Sequence, residues 1–351
     1  MKKIAIIGSG FFGLGAAFIL SKKYNIDLYE IKKDIMQGVS SSNQLRFHLG
    51  YHYPRSPETL KEVQKNNKDF VKFYGKSIFG KTKNYYGISN TGSFTSYKKY
   101  IEFLKNNKLY YKNIKLDELN SIKGAILSKE KNLNIFKIKK FIKEKIIKKI
   151  INKKINIKLN SNFKKKDLKK YFKVIVATYD QNNLVLKKMG VNPKKKYKFE
   201  LVEKTVIKLP KKYKDKSYMI IDGKFVCLDP FLGTDYHLLS SNKCSKIEIV
   251  KGFYPKFVSK KSKLINKGLI KDIKLSYFKK IIKHGKIFFK FIKKAKYIGS
   301  FFLVRAIEIN KEKTDERLNR IDFVNNKIIT LFSGKWNTSI SVAFELLKKI
   351  R

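Results

Sequence analysis

Ile4-Ala5-Ile6-Ile7, then Gly8-Ser9-Gly10-Phe11-Phe12-Gly13, then an apolar run, then Ile26-Asp27-Leu28-Tyr29-Glu30 open the chain. The order reads strand, glycine turn, helix, strand, acid. Each part answers a demand of a bound dinucleotide. Gly8 allows the tight turn out of the strand. Gly10 lacks a Cβ, so the backbone can approach a pyrophosphate. Gly13 lets the helix pack closely on the strand. Ser9, Phe11 and Phe12 complete the turn and share its site. The helix N-terminus then faces the phosphates with unpaired N–H groups and a partial positive charge. Glu30 follows the second strand, where its carboxylate can accept both ribose hydroxyls and would repel a 2′-phosphate. That argues against NADP as the nucleotide held here.

Composition narrows the class. A chain of 351 residues with 43% hydrophobic residues buries a sizeable core and reads as two domains. The net charge of +54 points towards nucleic acid or an anionic membrane. Yet the charge is almost all Lys, spread from end to end among Ile, Asn, Phe and Tyr. These residue types share A/T-rich codons, so genomic base composition is a sufficient cause. A specific nucleic-acid site is therefore not expected; weak, salt-sensitive association with anionic surfaces is. Arg is rare: Arg46, Arg55, Arg305, Arg317, Arg320 and Arg351. In such a chain a guanidinium marks a planar, bidentate contact that Lys cannot make. Cys227 and Cys244 have no metal-ligand spacing, so no metal site or disulfide framework is expected. The absence of a long apolar span and of a leader pattern points to the cytoplasm.

The layout follows from periodicity. Helices are expected at about residues 13–23, 57–74, 135–152 and 258–293, with a terminal one reaching Ile350. Strands are expected at 84–95, 155–159, 174–178 and 328–332. Short alternating runs between 197 and 250 predict an antiparallel sheet, and Phe302 to Ala306 a further strand. Asp222-Gly223 is a turn signal, either of a plain hairpin or of the floor of a substrate site. The fold class is α/β with α+β inserts: a Rossmann-like nucleotide-binding domain assembled from separated segments, plus an inserted substrate domain with a mainly antiparallel sheet. Residues 1–80, 131–185 and 296–351 would make the first. Residues 81–130 and 186–295 would make the second, a substrate or cap domain.

Four motifs together resemble the D-amino-acid-oxidase-like superfamily of FAD-dependent oxidoreductases. The glycine fingerprint is one. Ser41-Ser42-Asn43-Gln44-Leu45-Arg46-Phe47-His48-Leu49-Gly50-Tyr51-His52-Tyr53-Pro54 is the second; it is similar to a segment of L-2-hydroxyglutarate dehydrogenases that runs under the flavin ring. Val174-Ile175-Val176-Ala177-Thr178 is the third, with Tyr179 where the family has Gly. Ser333-Gly334-Lys335-Trp336-Asn337-Thr338 is similar to a turn of FAD-linked glycerol-3-phosphate dehydrogenases that points a helix N-terminus at the flavin. The resemblance implies FAD as cofactor. It assigns Gly8, Ser9, Gly10, Phe11, Phe12, Gly13, Glu30, Ser42, Asn43, Arg46, His48, Gly50, Phe163, Ala177, Thr178, Gly334, Lys335 and Trp336 to its binding. A helix N-terminus plus Lys335 would stabilise the charge of reduced flavin.

His48, His52, Tyr51 and Arg305 are the catalytic candidates. A His suits proton transfer at neutral pH, and relatives also carry a covalent flavin link at such a His. Tyr51 and Tyr53 alternate with His52 as on a strand, one set facing the flavin. Arg305 would clamp a substrate carboxylate, and Thr314-Asp315-Glu316-Arg317 would form a turn near the site entrance. The expected activity is oxidation of a CH–NH or CH–OH group of a small anionic substrate by hydride transfer to flavin N5, with the electron acceptor unknown. The alternatives are a non-redox flavoenzyme of the sugar-nucleotide mutase type, an NAD-dependent dehydrogenase and, last, a basic nucleic-acid-binding module.

Overall fold

The computed structural model describes residues 1–223, 226–310, 316–332 and 334–350. Thr314, Asp315, Ser333 and Arg351, named above, lie outside the described residues. In chain order the elements begin β1 (Lys3–Ile7), α1 (Phe11–Leu20), β2 (Asn25–Tyr29), the one-turn α2 (Val39–Ser42), β3 (Arg46–Phe47), α3 (Pro57–Tyr74), β4 (Lys83–Ser89) and α4 (Tyr97–Asn106). They continue with β5 (Tyr111–Ile114), β6 (Ile122–Ser128), β7 (Lys131–Asn132), α5 (Ile135–Ile151), β8 (Ile155–Lys158), β9 (Lys173–Val176), α6 (Asn182–Lys188) and β10 (Tyr197–Lys208). Then come β11 (Lys216–Ile221), β12 (Val226–Phe231), β13 (Tyr236–Ser241), β14 (Lys246–Gly252), α7 (Phe278–Gly285), β15 (Lys296–Glu308), β16 (Arg320–Phe323), β17 (Ile328–Phe332) and α8 (Ser339–Lys349).

Two sheets organise these elements. The first runs in the order β16-β17-β9-β1-β2-β8. All its pairs are parallel except that of the edge strand β16. Strands buried on both faces read as continuous apolar runs, and Ile4, Ala5 and Ile6 of β1 are fully buried. All ten residues of α1 are buried too, since α8 covers it opposite the sheet. That explains why α1 is apolar all round. The second sheet runs β14-β10-β13-β12-β11-β4-β6-β5, with β15 also paired to β10. It is antiparallel except between β4 and β11. The α/β class, the parallel sheet and the mainly antiparallel insert stand as expected.

Local signals explain the element ends. Ser56 caps α3, its Oγ accepting from the Thr59 N–H at 3.4 Å, with Pro57 in the first turn. Gly75 at φ +79° ends that helix. Asn134 caps α5 through the N–H groups of Phe136 and Lys137.

Three expectations are corrected, and one stretch without an expected element proves to be structured. Residues 258–293 are not long helices: only the eight residues of α7 are α-helical, with single 3-10 turns around them. Asn266 at φ +56° and Gly268 at φ +84° break the helical path ahead of α7. Residues 51–53 are a turn, closed by the Tyr53 N–H donating to Gly50 O at 3.0 Å, so His52 does not alternate with Tyr51 and Tyr53 on a strand. Lys296–Glu308, counted with the nucleotide segments, pairs along its length with β10 in the larger sheet. α4, β5 and β6 complete that sheet's far side in a stretch where periodicity gave no clear element.

Candidate functional site

A cavity of about 720 Å³ opens where the two sheets meet. One side is the C-terminal end of the parallel sheet, the place where open α/β folds hold ligands. Ile7, Gly8, Ser9, Gly10, Phe11 and Phe12 line it. The backbone around the glycines is shaped by close approach. Gly8 lies at φ +98°, and a Cβ on it would fall 2.7 Å from Ala177 O. A Cβ on Gly13 would fall 1.8 Å from Gly8 O, so Gly13 serves the packing of α1 on β1 and is not on the cavity wall. A Cβ on Gly10 would meet only Ser40 Oγ, at 2.9 Å. The N-cap residue, Gly10, has no side chain to offer; the Ser40 hydroxyl accepts from the Phe11 N–H at 3.3 Å, and no acidic residue stands in the first turn. Its N-terminus therefore presents a positive dipole end to the cavity without an anion of its own.

Glu30 sits just past β2 and lines the cavity. Its Oε2 accepts from the Ser9 N–H at 3.0 Å and the Ser9 hydroxyl at 2.5 Å, and its Oε1 from the Lys32 N–H at 2.9 Å. The carboxylate thus braces the glycine turn and keeps lone pairs for a further donor. Asn43, Phe163, Ala177 and Thr178 line the same cavity. Tyr179, standing for a glycine, takes a glycine's backbone at φ +58°. Its side chain holds it there: the hydroxyl donates to Ala306 O and accepts from the Ala306 N–H, both at 3.1 Å. Ser42 does not reach the wall; its hydroxyl donates to Gly38 O.

At the other end stand His48, His52, Gly334, Lys335 and Trp336. The His48 and His52 rings are 5.5 Å apart. The Trp336 indole stacks on Phe11 at 5.3 Å, joining the last turn to the first. Lys335 Nζ lies 4.6 Å from the centre of the Tyr53 ring, a cation–π distance. Asn67 of α3 fixes the His48 backbone by donating to its carbonyl at 2.9 Å.

Four residues singled out in the sequence have structural partners. Arg46 borders the cavity, but its guanidinium turns into the protein, 2.6 Å from Asp229, 2.5 Å from Ser217 Oγ and 3.4 Å from Glu130. Two buried carboxylates claim it, so it is not available to a phosphate. Tyr51 is buried away from the cavity, its hydroxyl donating to Tyr110 O at 2.5 Å. Gly50, at φ +120°, is pressed against Leu60 of α3. Arg55, likewise, forms a two-bond pair with Asp222, at 2.7 and 3.0 Å.

Other site residues went unnoticed in the sequence. Glu130 is buried; it accepts from Tyr86 at 2.6 Å and the Leu49 N–H at 3.0 Å, and its Oε1 lies 3.7 Å from His48 Nδ1. Burial pushes its pKa up, but His48, Arg46 and Tyr86 outweigh burial and hold it at about 2. Burial, aided by the Lys335 and Arg46 charges and opposed by Glu130, pushes the His48 pKa down. The sheet wall adds Lys198, Glu200 and Lys204 of β10, Ser240, Cys227 and Lys246, beside the expected Arg305. Alternation along β10 puts 198, 200 and 204 on one face, and that signal was in the sequence. Lysine abundance masked it. Cys227 and Cys244 are free thiols. Among the described residues no cluster of His, Cys, Asp and Glu could hold a metal ion, and no helix is long and apolar enough to cross a membrane.

No family model matches the chain. Over 73 residues, 20% of the chain, it is 37% identical to the FAD-dependent monooxygenase kojA of Aspergillus flavus; the match spans only 17% of that protein. Solved structures match over nearly the whole length. L-proline dehydrogenase from P. horikoshii superposes with a TM-score of 0.69 at 14% identity, covering 99% of this chain and 93% of that one. L-α-glycerophosphate oxidase from Mycoplasma pneumoniae, with FAD bound, gives 0.68 at 15% identity, covering 100% and 95%. The chain has the fold seen in these solved oxidases and dehydrogenases.

Proposed function

We propose that the chain is an FAD-dependent oxidoreductase acting on a CH–NH or CH–OH group of a small anionic substrate. The observation that carries this is the continuous cavity from Glu30, past the N-terminus of α1, which has no acidic residue in its first turn, to His48, Lys335 and the cation-bearing sheet wall. Its parts fit the cofactor. Glu30 suits the ribose, and Gly8 to Phe12 leave backbone room for the pyrophosphate. Asn43, Phe163, Ala177 and Thr178 flank the path, and Gly334, Lys335 and Trp336 flank the ring end. Ser42, Gly50 and Arg46 support these segments from behind.

When bound, FAD would supply the two-electron acceptor at N5. The chain's residues have the remaining tasks. Lys335 and the helix that follows it offset negative charge at the ring. His48, backed by Glu130, takes the hydroxyl proton of an alcohol substrate; an amine in its free-base form needs no such base. The kojA match and the glycerophosphate oxidase and proline dehydrogenase folds support flavin chemistry on small molecules.

The test is the visible spectrum of the purified protein before and after acid precipitation. Oxidised-flavin bands are expected. Colour left in the pellet would mean a covalent link, with His48 the first residue to replace. A colourless protein that also fails to bind added FAD would overturn the proposal in favour of NAD.

A further inference from the structure

One wall of the cavity is a face of the nine-stranded sheet. Across it runs a row of register neighbours. Met219 of β11 pairs with Cys227 of β12, and Cys227 with Ser240 of β13. Thr205 pairs with Leu239, which sets Lys204 of β10 beside Ser240. All four side chains line the cavity. Lys204 Nζ donates to Ser240 Oγ at 2.8 Å.

The other cations of this wall already share a carboxylate. Arg305 lies 3.2 Å from Glu200, Lys246 3.2 Å and Lys198 3.9 Å. Lys204 differs. Among the described residues it makes no ion pair, and its hydrogen bond goes to a neutral hydroxyl. Two N–H donors are left over. Burial pushes its ammonium pKa down, with the Arg305 charge adding to the effect. An enclosed cation with no counter-ion costs stability. An oxyanion in the cavity would supply the missing charge and accept the two spare donors.

We propose that Lys204 and Ser240 form the anion-binding point of the cavity, holding the carboxylate or phosphate oxyanion of a small acid, and that Arg305 does not. This rests on the cavity being the substrate site and names the side chains that set substrate class. Arg305 braces Glu200 instead, and so keeps the three-cation cluster at the strand edge in place.

The test is calorimetric titration of the purified full-length protein with sodium acetate and, separately, inorganic phosphate, at constant ionic strength set by chloride. Constant ionic strength matters because the many surface lysines bind anions loosely. Wild type should bind one probe saturably, and which probe it binds identifies carboxylate or phosphate as the source. Lys204→Met should weaken that binding about tenfold or more. Ser240→Ala should weaken it less, and Arg305→Met should leave it within about twofold. Lys204→Met removes an uncompensated charge at constant length, so its Tm should not fall; if it does not fold, Lys204→Gln is read instead.

The proposal is overturned if wild type binds neither probe, if Lys204→Met binds like wild type, or if Arg305→Met loses as much as Lys204→Met. The readout does not use the flavin. A protein that neither carries nor takes up FAD, yet binds acetate through Lys204, would sink the flavoenzyme reading and leave this one standing.

Discussion

Gly13→Ala is the sharpest test of how the nucleotide end is built. The new methyl would lie 1.8 Å from Gly8 O and 2.9 Å from Gly8 C, both backbone atoms with no rotamer to escape into. A relaxed C···O contact is about 3.3 Å, so α1 and β1 would have to separate by about 1.5 Å. α1 has nowhere to go. On its other side a Cβ on Gly15 would already stand 3.1 Å from Ser339 O. Overpacking of this kind costs about 3 kcal/mol or more. At about 2–4 °C per kcal/mol that lowers Tm by about 6–12 °C. Thermal melts of three variants decide the matter. Gly38→Ala is the control, since nothing lies within 4 Å of its Cβ. Gly10→Ala meets only the Ser40 hydroxyl, which can turn away; it should melt near wild type yet lose FAD, because the methyl enters the cavity. If Gly13→Ala melts within about 2 °C of wild type, or Gly38→Ala falls as far, the close-packing argument is wrong.

Glu130 is held at about 2 against an ordinary 4.5, so its contribution to stability is complete above pH 4.5 and disappears as pH falls towards 2. Urea melts at pH 5 and pH 3 should show wild type losing more stability than Glu130→Gln, and the variant should be weaker by about 3 kcal/mol at pH 7. Asp180 behaves in the opposite sense. Burial raises it from 3.8 to about 6, so wild type loses stability as pH rises from about 4 to 6. Asp180→Asn should remove that slope and gain up to about 3 kcal/mol at pH 7 in the same melts. Trp336 is the single Trp and lines the cavity beside Phe11. Titration with FAD should quench protein fluorescence saturably; FAD that co-elutes with the protein but leaves the emission unchanged would contradict the placement of the ring.

The parts legible in the sequence were those whose physics is local. The glycine turn, its two strands, Glu30, α3 and β17 follow from periodicity, caps and backbone freedom. Arg46 was misread because its partners, Asp229 and Glu130, are remote in sequence, and nothing near residue 46 shows that carboxylates will claim it. Tyr51 and His52 were misread because a three-residue turn, not a strand, sets their directions. Lys204 was hidden among many lysines. Only the cross-strand register, a property of pairing, separates it from those in solvent.

The parallel sheet has one further consequence. β9 sits between β1 and β17, and Phe11 stacks on Trp336, so both ends of the chain build one wall. About 330 residues separate those two rings, which at ordinary translation speeds is on the order of 15–65 s of synthesis. A nascent chain emerging from the ribosome displays the complete glycine turn long before it has a pocket. Throughout that interval α1 lacks its cover of α8, and once β9 has been made it lacks its β17 neighbour. Cofactor capture is thus a late event in the life of the polypeptide, and chaperones would meet an apolar helix and an open sheet edge first.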